Sequence, residues 1–205
     1  MKTKYIIIGI IIIILTVFCF YYFSYSNKIT NYPSSGTDII AFGDSLVEGV
    51  GSTEGNNFVS LLSLKLGQPI INLGHSGDTT ADGLARVNEL DNYKPKVVIL
   101  LLGGNDYLKK VPIEDTRKNL SAIIENIQMR GAIVLLVGVR GGVINDPFSS
   151  EFNKLKNTYH TAFVSDILAG LIGNMNYMSD AVHPNNVGYG MISERIYPVL
   201  TKIIK

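Results

Sequence analysis

Cysteine is almost absent from this chain. Of 205 residues only Cys19 carries a thiol, and it lies within an apolar N-terminal run. The rest of the protein therefore has no disulfide. About 175 residues are enough to hold one domain together by a hydrophobic core alone. An excess of one charge is also missing. Beyond Lys28 the chain holds 15 basic residues against all 17 acidic ones, a net charge near −2 with no basic stripe. Nucleic acid is excluded as a partner on that ground. Histidine is scarce: His75, His160 and His183 stand at no metal-ligand spacing from one another or from carboxylates. Neither a metal nor another cofactor is expected. There is no internal repeat and no low-complexity tract.

Charge is absent altogether from residues 5–25, which are apolar or aromatic except for Gly9, Thr16 and Ser24. At ~1.5 Å per residue a helix of this length spans about 31 Å, the thickness of a bilayer core. Lys2 and Lys4 precede the run and only Lys28 follows closely, which places the N-terminus in the cytoplasm and the remainder outside. Tyr21, Tyr22 and Tyr25 would then sit at the outer interface. The expectation is a single-pass membrane anchor over residues 1–28. The alternative is a cleaved signal peptide with a site at Ser24-Tyr25-Ser26, but the apolar stretch exceeds the ~7–15 residues usual for one. The bulky Phe18 argues against a lipid-modified Cys19, which reads as a small apolar helix residue. Residues 29–37, with Pro33, Ser34, Ser35 and Gly36, read as a linker to a domain over 38–205.

Within that domain apolar runs alternate with helical patterns. Strands are expected at 38–42, 69–73, 96–102, 132–137 and 161–164. The run Val97-Val98-Ile99-Leu100-Leu101 is apolar on both faces, as a central parallel strand requires. Helices are expected at 57–66, 80–90, 113–130, 149–159 and 186–203, with Pro198 bending or interrupting the last. The alternation predicts a flavodoxin-like three-layer α/β/α sandwich around a five-stranded parallel sheet. The stretch 140–147 reads as a loop.

The segment Gly43-Asp44-Ser45-Leu46 ends the first strand on a tight turn. Ligands bind at the carboxyl ends of strands in such sheets, so Ser45 is a candidate nucleophile. Gly49-Val50-Gly51-Ser52-Thr53-Glu54-Gly55 fails as a dinucleotide fingerprint because its third glycine is one residue late. Val47 likewise excludes the Gly-x-Ser-x-Gly elbow. Asp180 lies three residues before His183, close enough to fix its tautomer and leave Nε2 free as a base. Alone this pair is also compatible with an ordinary helix-start segment. Gly103-Gly104-Asn105-Asp106 follows the central strand, and the Asn105 amide is a candidate oxyanion donor. The same four residues are good turn chemistry, with Asp106 as a brace. Ser76-Gly77-Asp78-Thr79 follows the second strand, so Gly77 can offer a backbone N–H while Asp78 or Thr79 caps a helix. His75 has no carboxylate at comparable spacing and reads as loop scaffold or pocket lining. His160 reads as a helix end.

Taken together, the four stretches resemble the SGNH (GDSL) hydrolase family, in the family's order and over residues 38–205. Asn72 through Arg86 and Gly103-Gly104-Asn105-Asp106 are most similar to the bacterial thioesterase I, lysophospholipase and arylesterase branch. The resemblance implies Ser45 as nucleophile, His183 as base and Asp180 as its orienter. It implies an oxyanion hole of the Ser45 and Gly77 N–H groups plus the Asn105 side chain. It further implies an acyl hydrolase acting on small-molecule or lipid esters or thioesters through an acyl-enzyme. Tethering outside the membrane motivates an alternative, a cell-surface polysaccharide O-acetyl esterase or acyltransferase. A non-catalytic binding module on the same fold is the third reading. Acyl-chain preference and oligomeric state are not legible in these residues.

Overall fold

The computed structural model describes residue 5 and residues 10–18, 28–140 and 146–205. Five parallel strands form one sheet: β1 (Asp38–Gly43), β2 (Ile70–Gly74), β3 (Pro95–Leu101), β4 (Ile133–Val137) and β5 (Ala162–Val164). Their order is β2-β1-β3-β4-β5, the flavodoxin-like order anticipated from the alternating pattern. β3 and β4 are buried along nearly their whole length, since helices cover both faces of the sheet. Phe42, Val98, Ile99, Leu100, Leu135 and Leu136 form its centre.

The helices are α1 (Ser45–Glu48), α2 (Phe58–Leu66), α3 (Thr80–Ala85), α4 (Gly104–Leu108), α5 (Ile113–Met129), α6 (Pro147–Tyr159) and α7 (Asn186–Ile203). α2 packs on α7, whereas α5 packs on both α3 and α6, giving the two outer layers. The α5 sequence explains its placement. Thr116, Leu120, Ile123, Ile124 and Ile127 recur at helical spacing and are buried, and Glu114 and Asp115 occupy the first turn.

Three expectations change. The helix expected at 80–90 is α3 followed by a separate 3₁₀ turn, Val87–Asn92. The break falls at Arg86, whose guanidinium is drawn across the ends of β1 and β2. Gly83 lets α3 lie flat on Leu102, because a Cβ there would come within 2.4 Å of Leu102 Cδ1. The Gly103-Gly104-Asn105-Asp106 turn continues into α4, a short helix started by Gly103 at φ +117°. Pro198 does not interrupt α7. It lies on the exposed side, while Ile192, Ile196, Leu200 and Ile203 keep the buried stripe intact.

Residues 29–37 do not hang free. Thr30 donates its N–H to His160 O (3.0 Å) and its hydroxyl to Tyr159 O (3.0 Å). Asn31 Nδ2 donates to Gln128 O (2.8 Å) and Ala132 O (2.9 Å), and Ser34 Oγ to Gly131 O (2.8 Å). Ile29 and Tyr32 pack on the core. Most of the expected membrane span at 5–25 lies outside the described residues, as does 141–145 of the 140–147 loop. Residues 10–18 are helical and exposed. Among the described residues no helix is long and apolar enough to cross a membrane.

Candidate active site

The reversal of strand order at β1 fixes where a site can form. β1 lies between β2 and β3, so the chain leaves in opposite directions on its two sides and opens a crevice at the carboxyl edge. Gly43 is in register with both Gly74 and Leu101, so the loops after β1, β2 and β3 emerge side by side. Those loops carry Ser45, Gly77 and Asn105.

Ser45 is the first residue of α1. Asp44 caps this helix, its carboxylate accepting the Leu46 N–H at 3.0 Å. The first-turn N–H groups of a helix have no carbonyl one turn back, so the Ser45 N–H is left for another acceptor. Close backbone packing requires glycine at 43, where a Cβ would lie 2.1 Å from Leu101 O. The Ser45 side chain is nearly buried, but its Oγ meets His183 Nε2 at 3.0 Å.

His183 is held by a tight hairpin between β5 and α7. Ser179 N–H donates to His183 O (2.8 Å), and Met178 and Pro184 form a single antiparallel bridge. Asp180 organises the turn. One carboxylate oxygen accepts the Val182 and His183 N–H groups, each at 2.8 Å, and the other meets His183 Nδ1 at 2.8 Å. The backbone bond from Val182 comes first among the causes that lower the Asp180 carboxyl to about 2, with the two bonds from His183 adding to it. The hairpin is pressed against the loop after α1. Gly51, at φ +93°, comes so close that a Cβ would lie 2.5 Å from Pro184 O and 3.1 Å from His183 Cβ. Asn186 and Thr53 exchange two hydrogen bonds, and the buried Tyr189 hydroxyl donates to Val50 O (2.8 Å). These contacts span more than 130 residues of sequence and set the His183–Ser45 distance.

On the other side of Ser45, Gly77 adopts φ +87° with open space where a Cβ would be. Asn105 Nδ2 donates to Asp78 O at 2.9 Å, one residue past Gly77, so the β2 and β3 loops are joined. Thr79, not Asp78, caps α3, in a capping box with Asp82. Asp106 is the expected brace. Its buried carboxylate accepts the Thr80 N–H (2.9 Å), the Thr80 hydroxyl (2.5 Å) and the Thr116 hydroxyl (3.2 Å), tying α4 to α3 and α5. His75 acts as scaffold: its N–H donates to Gly43 O at 2.9 Å and its side chain is exposed. His160 ends α6 at φ +49°.

Sequence reasoning missed Arg86 as a structural hub. Its Nε pairs with Asp78 (2.6 Å), one terminal nitrogen with Glu89 (3.1 Å), and the other donates to Gly43 O (2.8 Å) and Leu73 O (3.1 Å). It also stacks over Phe42. The guanidinium thus joins the residue before Asp44-Ser45 to the residue after Gly77. No local pattern announces this, because its partners come from four different segments.

Burial pushes the Asp44 carboxyl up from 3.8 to about 7; Asp78 and Asp106 add to the rise, whereas the Leu46 N–H and His183 oppose it. Between these two values the native state holds a proton that the unfolded chain has released. Stability is therefore lost as pH rises from about 4 to 7 and levels off above that. At ~1.4 kcal/mol per pH unit the loss amounts to about 4 kcal/mol. Asp44→Asn keeps an acceptor for Leu46 and removes the titration. Urea midpoints at pH 5 and 8.5 should converge in this variant; a pH dependence as steep as that of the unaltered protein would show that Asp44 is not its source.

A family model described as GDSL-like Lipase/Acylhydrolase matches residues 41–191. The chain belongs to that family. Esterase TesA of Pseudomonas aeruginosa is 29% identical over 178 residues, 81% of this chain and 89% of that protein. An arylesterase of Vibrio mimicus is 32% identical over 176 residues, 80% of this chain and 88% of that one. The crystal structure of TesA superposes with a TM-score of 0.77, covering 82% of this chain and 99% of TesA. AlinE4, an SGNH-hydrolase family esterase, is 33% identical with a TM-score of 0.65, covering 84% and 100%. The chain is accordingly a GDSL-type hydrolase. The matched region takes in the strand ends that carry Ser45, Gly77 and Asn105, together with the Asp180–His183 hairpin.

Proposed function

We propose that the chain is a serine ester hydrolase in which Ser45, His183 and Asp180 act as a triad. The observation that carries this reading is the chain of two short contacts, Asp180 Oδ2 to His183 Nδ1 at 2.8 Å and His183 Nε2 to Ser45 Oγ at 3.0 Å. Asp180 holds the Nδ1–H tautomer, so Nε2 faces Ser45 with a free lone pair. Ser45 Oγ attacks the carbonyl carbon of an ester or thioester as His183 takes its proton. The oxyanion is met by the Ser45 and Gly77 N–H groups and the Asn105 amide. His183 then protonates the leaving oxygen or sulfur as its bond to carbon breaks. Water attacks the acyl-enzyme by the same route, releasing the acid and returning the proton to Ser45.

Carboxylic esters and thioesters are the substrate class that accords with relatives named esterase, arylesterase and thioesterase/lysophospholipase. The domain is taken as 38–205, with 29–37 as a docked strap. Residues 1–28 are taken as a membrane anchor that leaves the domain outside the cell membrane; secretion after cleavage at Ser24-Tyr25-Ser26 is the alternative. Uncharged apolar sequence over 5–25 supports the anchor.

The test is hydrolysis of p-nitrophenyl acetate, p-nitrophenyl butyrate, longer acyl esters and an acyl thioester by the full chain. Turnover that follows one acyl-length optimum is expected. Absence of turnover on every substrate would overturn the reading.

A further inference from the structure

The strap and the candidate site occupy opposite edges of the sheet. Among the described residues, the backbone partners of the strap outside itself lie at the amino edge or at a helix end beside it. Ala132 O and Gly131 O precede β4, Tyr159 O and His160 O precede β5, and Thr37 donates its N–H to Lys94 O (2.8 Å), just before β3. Ser45 follows the carboxyl end of β1, in register with the carboxyl end of β3. The seven residues of β3 separate the two edges by roughly 20 Å, at ~3.3 Å per residue.

We infer that, when residues 5–25 lie in a bilayer, the strap holds Ser45 away from that bilayer, so the enzyme draws its ester from the aqueous side. This rests on the anchor and the esterase reading proposed above. From Tyr25, the last residue of the apolar run, to the pinned Thr30 there are five chain steps. At most ~3.5 Å each, they reach about 17 Å. That is less than the height of the sheet alone, so a domain standing on its carboxyl edge would carry Thr30 out of the tether's reach. The substrate class is a water-borne acyl ester, free or carried on a polymer, and excludes acyl groups of lipids in the same membrane.

The experiment uses the full chain reconstituted in phosphatidylcholine vesicles. Flotation reports anchoring, and 4-methylumbelliferyl acetate in solution reports activity. A lipid whose head group carries the same fluorogenic acetate is placed either in the enzyme's own vesicles or in separate ones. A second protein carries a 20-residue Gly/Ser spacer between Asn27 and Lys28, with an r.m.s. span of about 25 Å. The unaltered chain should cut the lipid-borne acetate at least about tenfold faster in separate vesicles, and the spacer should remove that difference. Equal cleavage in own and separate vesicles by the unaltered chain, or a spacer without effect, would overturn the inference alone. Failure to float would overturn the anchor and the inference with it. Inactivity on the soluble acetate would overturn the esterase reading.

Discussion

Ser45→Ala and His183→Ala are each expected to lower kcat on p-nitrophenyl acetate by about four to six orders of magnitude, with no further loss in the double variant. The reason is that the two side chains perform one step. Ser45 Oγ is a weak nucleophile until His183 Nε2, 3.0 Å away, accepts its proton. Without His183 that proton has nowhere to go, without Ser45 there is no nucleophile to give it up, and removing the second partner costs nothing more. Both substitutions remove atoms at a nearly buried contact without touching the cap made by Asp44, so both variants should fold. Steady-state kinetics with circular dichroism on the three variants checks this; losses that multiply in the double variant would mean that the residues act separately. Asp180, held by the Val182 and His183 N–H groups, stays ionised down to about pH 2, so its orienting charge should persist across an acid titration of activity.

Asn105→Ala should lower kcat by about 10²–10³-fold while leaving KM within a small factor. An oxyanion donor gains strength only as charge builds on the carbonyl oxygen, so its loss falls on the transition state and not on substrate binding. In the free protein the same amide donates to Asp78 O at 2.9 Å, which holds it beside the Gly77 loop. The variant also leaves that carbonyl without this donor, so a modest fall in melting temperature should accompany the kinetic effect. A variant that raises KM with kcat unchanged would move Asn105 from the oxyanion hole to the substrate-binding wall.

The elements that could be read from sequence are those whose physics is local. The apolar runs of β1, β3 and β4 mark buried parallel strands in any context. The alternation of strand and helix then leaves few topologies, and the observed order is the expected one. Asp180 and His183 were legible because their bond closes within one turn of chain. The position of Ser45 on the turn after β1 was legible because the apolar run of that strand stops at Gly43. What stayed hidden depends on distant partners. Arg86 draws contacts from Gly43, Leu73, Asp78 and Glu89, and in doing so ends α3 where periodicity alone carries the helix on. Glu48 accepts the Ser76 N–H at 2.6 Å, a link between the β1 and β2 loops that spans 28 residues. The strap reads as a short linker in sequence because Pro33, Ser34, Ser35 and Gly36 have turn composition. Its order comes from backbone carbonyls of α5, α6 and the β4 and β5 approaches, none of which leaves a mark on composition.

The claim that everything else depends on is that Ser45 is an activated nucleophile. Incubation with a fluorophosphonate followed by intact-mass and peptide analysis tests it directly, since such reagents phosphonylate only a serine whose proton is being withdrawn. One adduct per chain is expected, on the peptide containing Ser45, abolished in Ser45→Ala and suppressed in His183→Ala. A chain that stays unmodified while correctly folded, or an adduct on another residue that persists in Ser45→Ala, would contradict it.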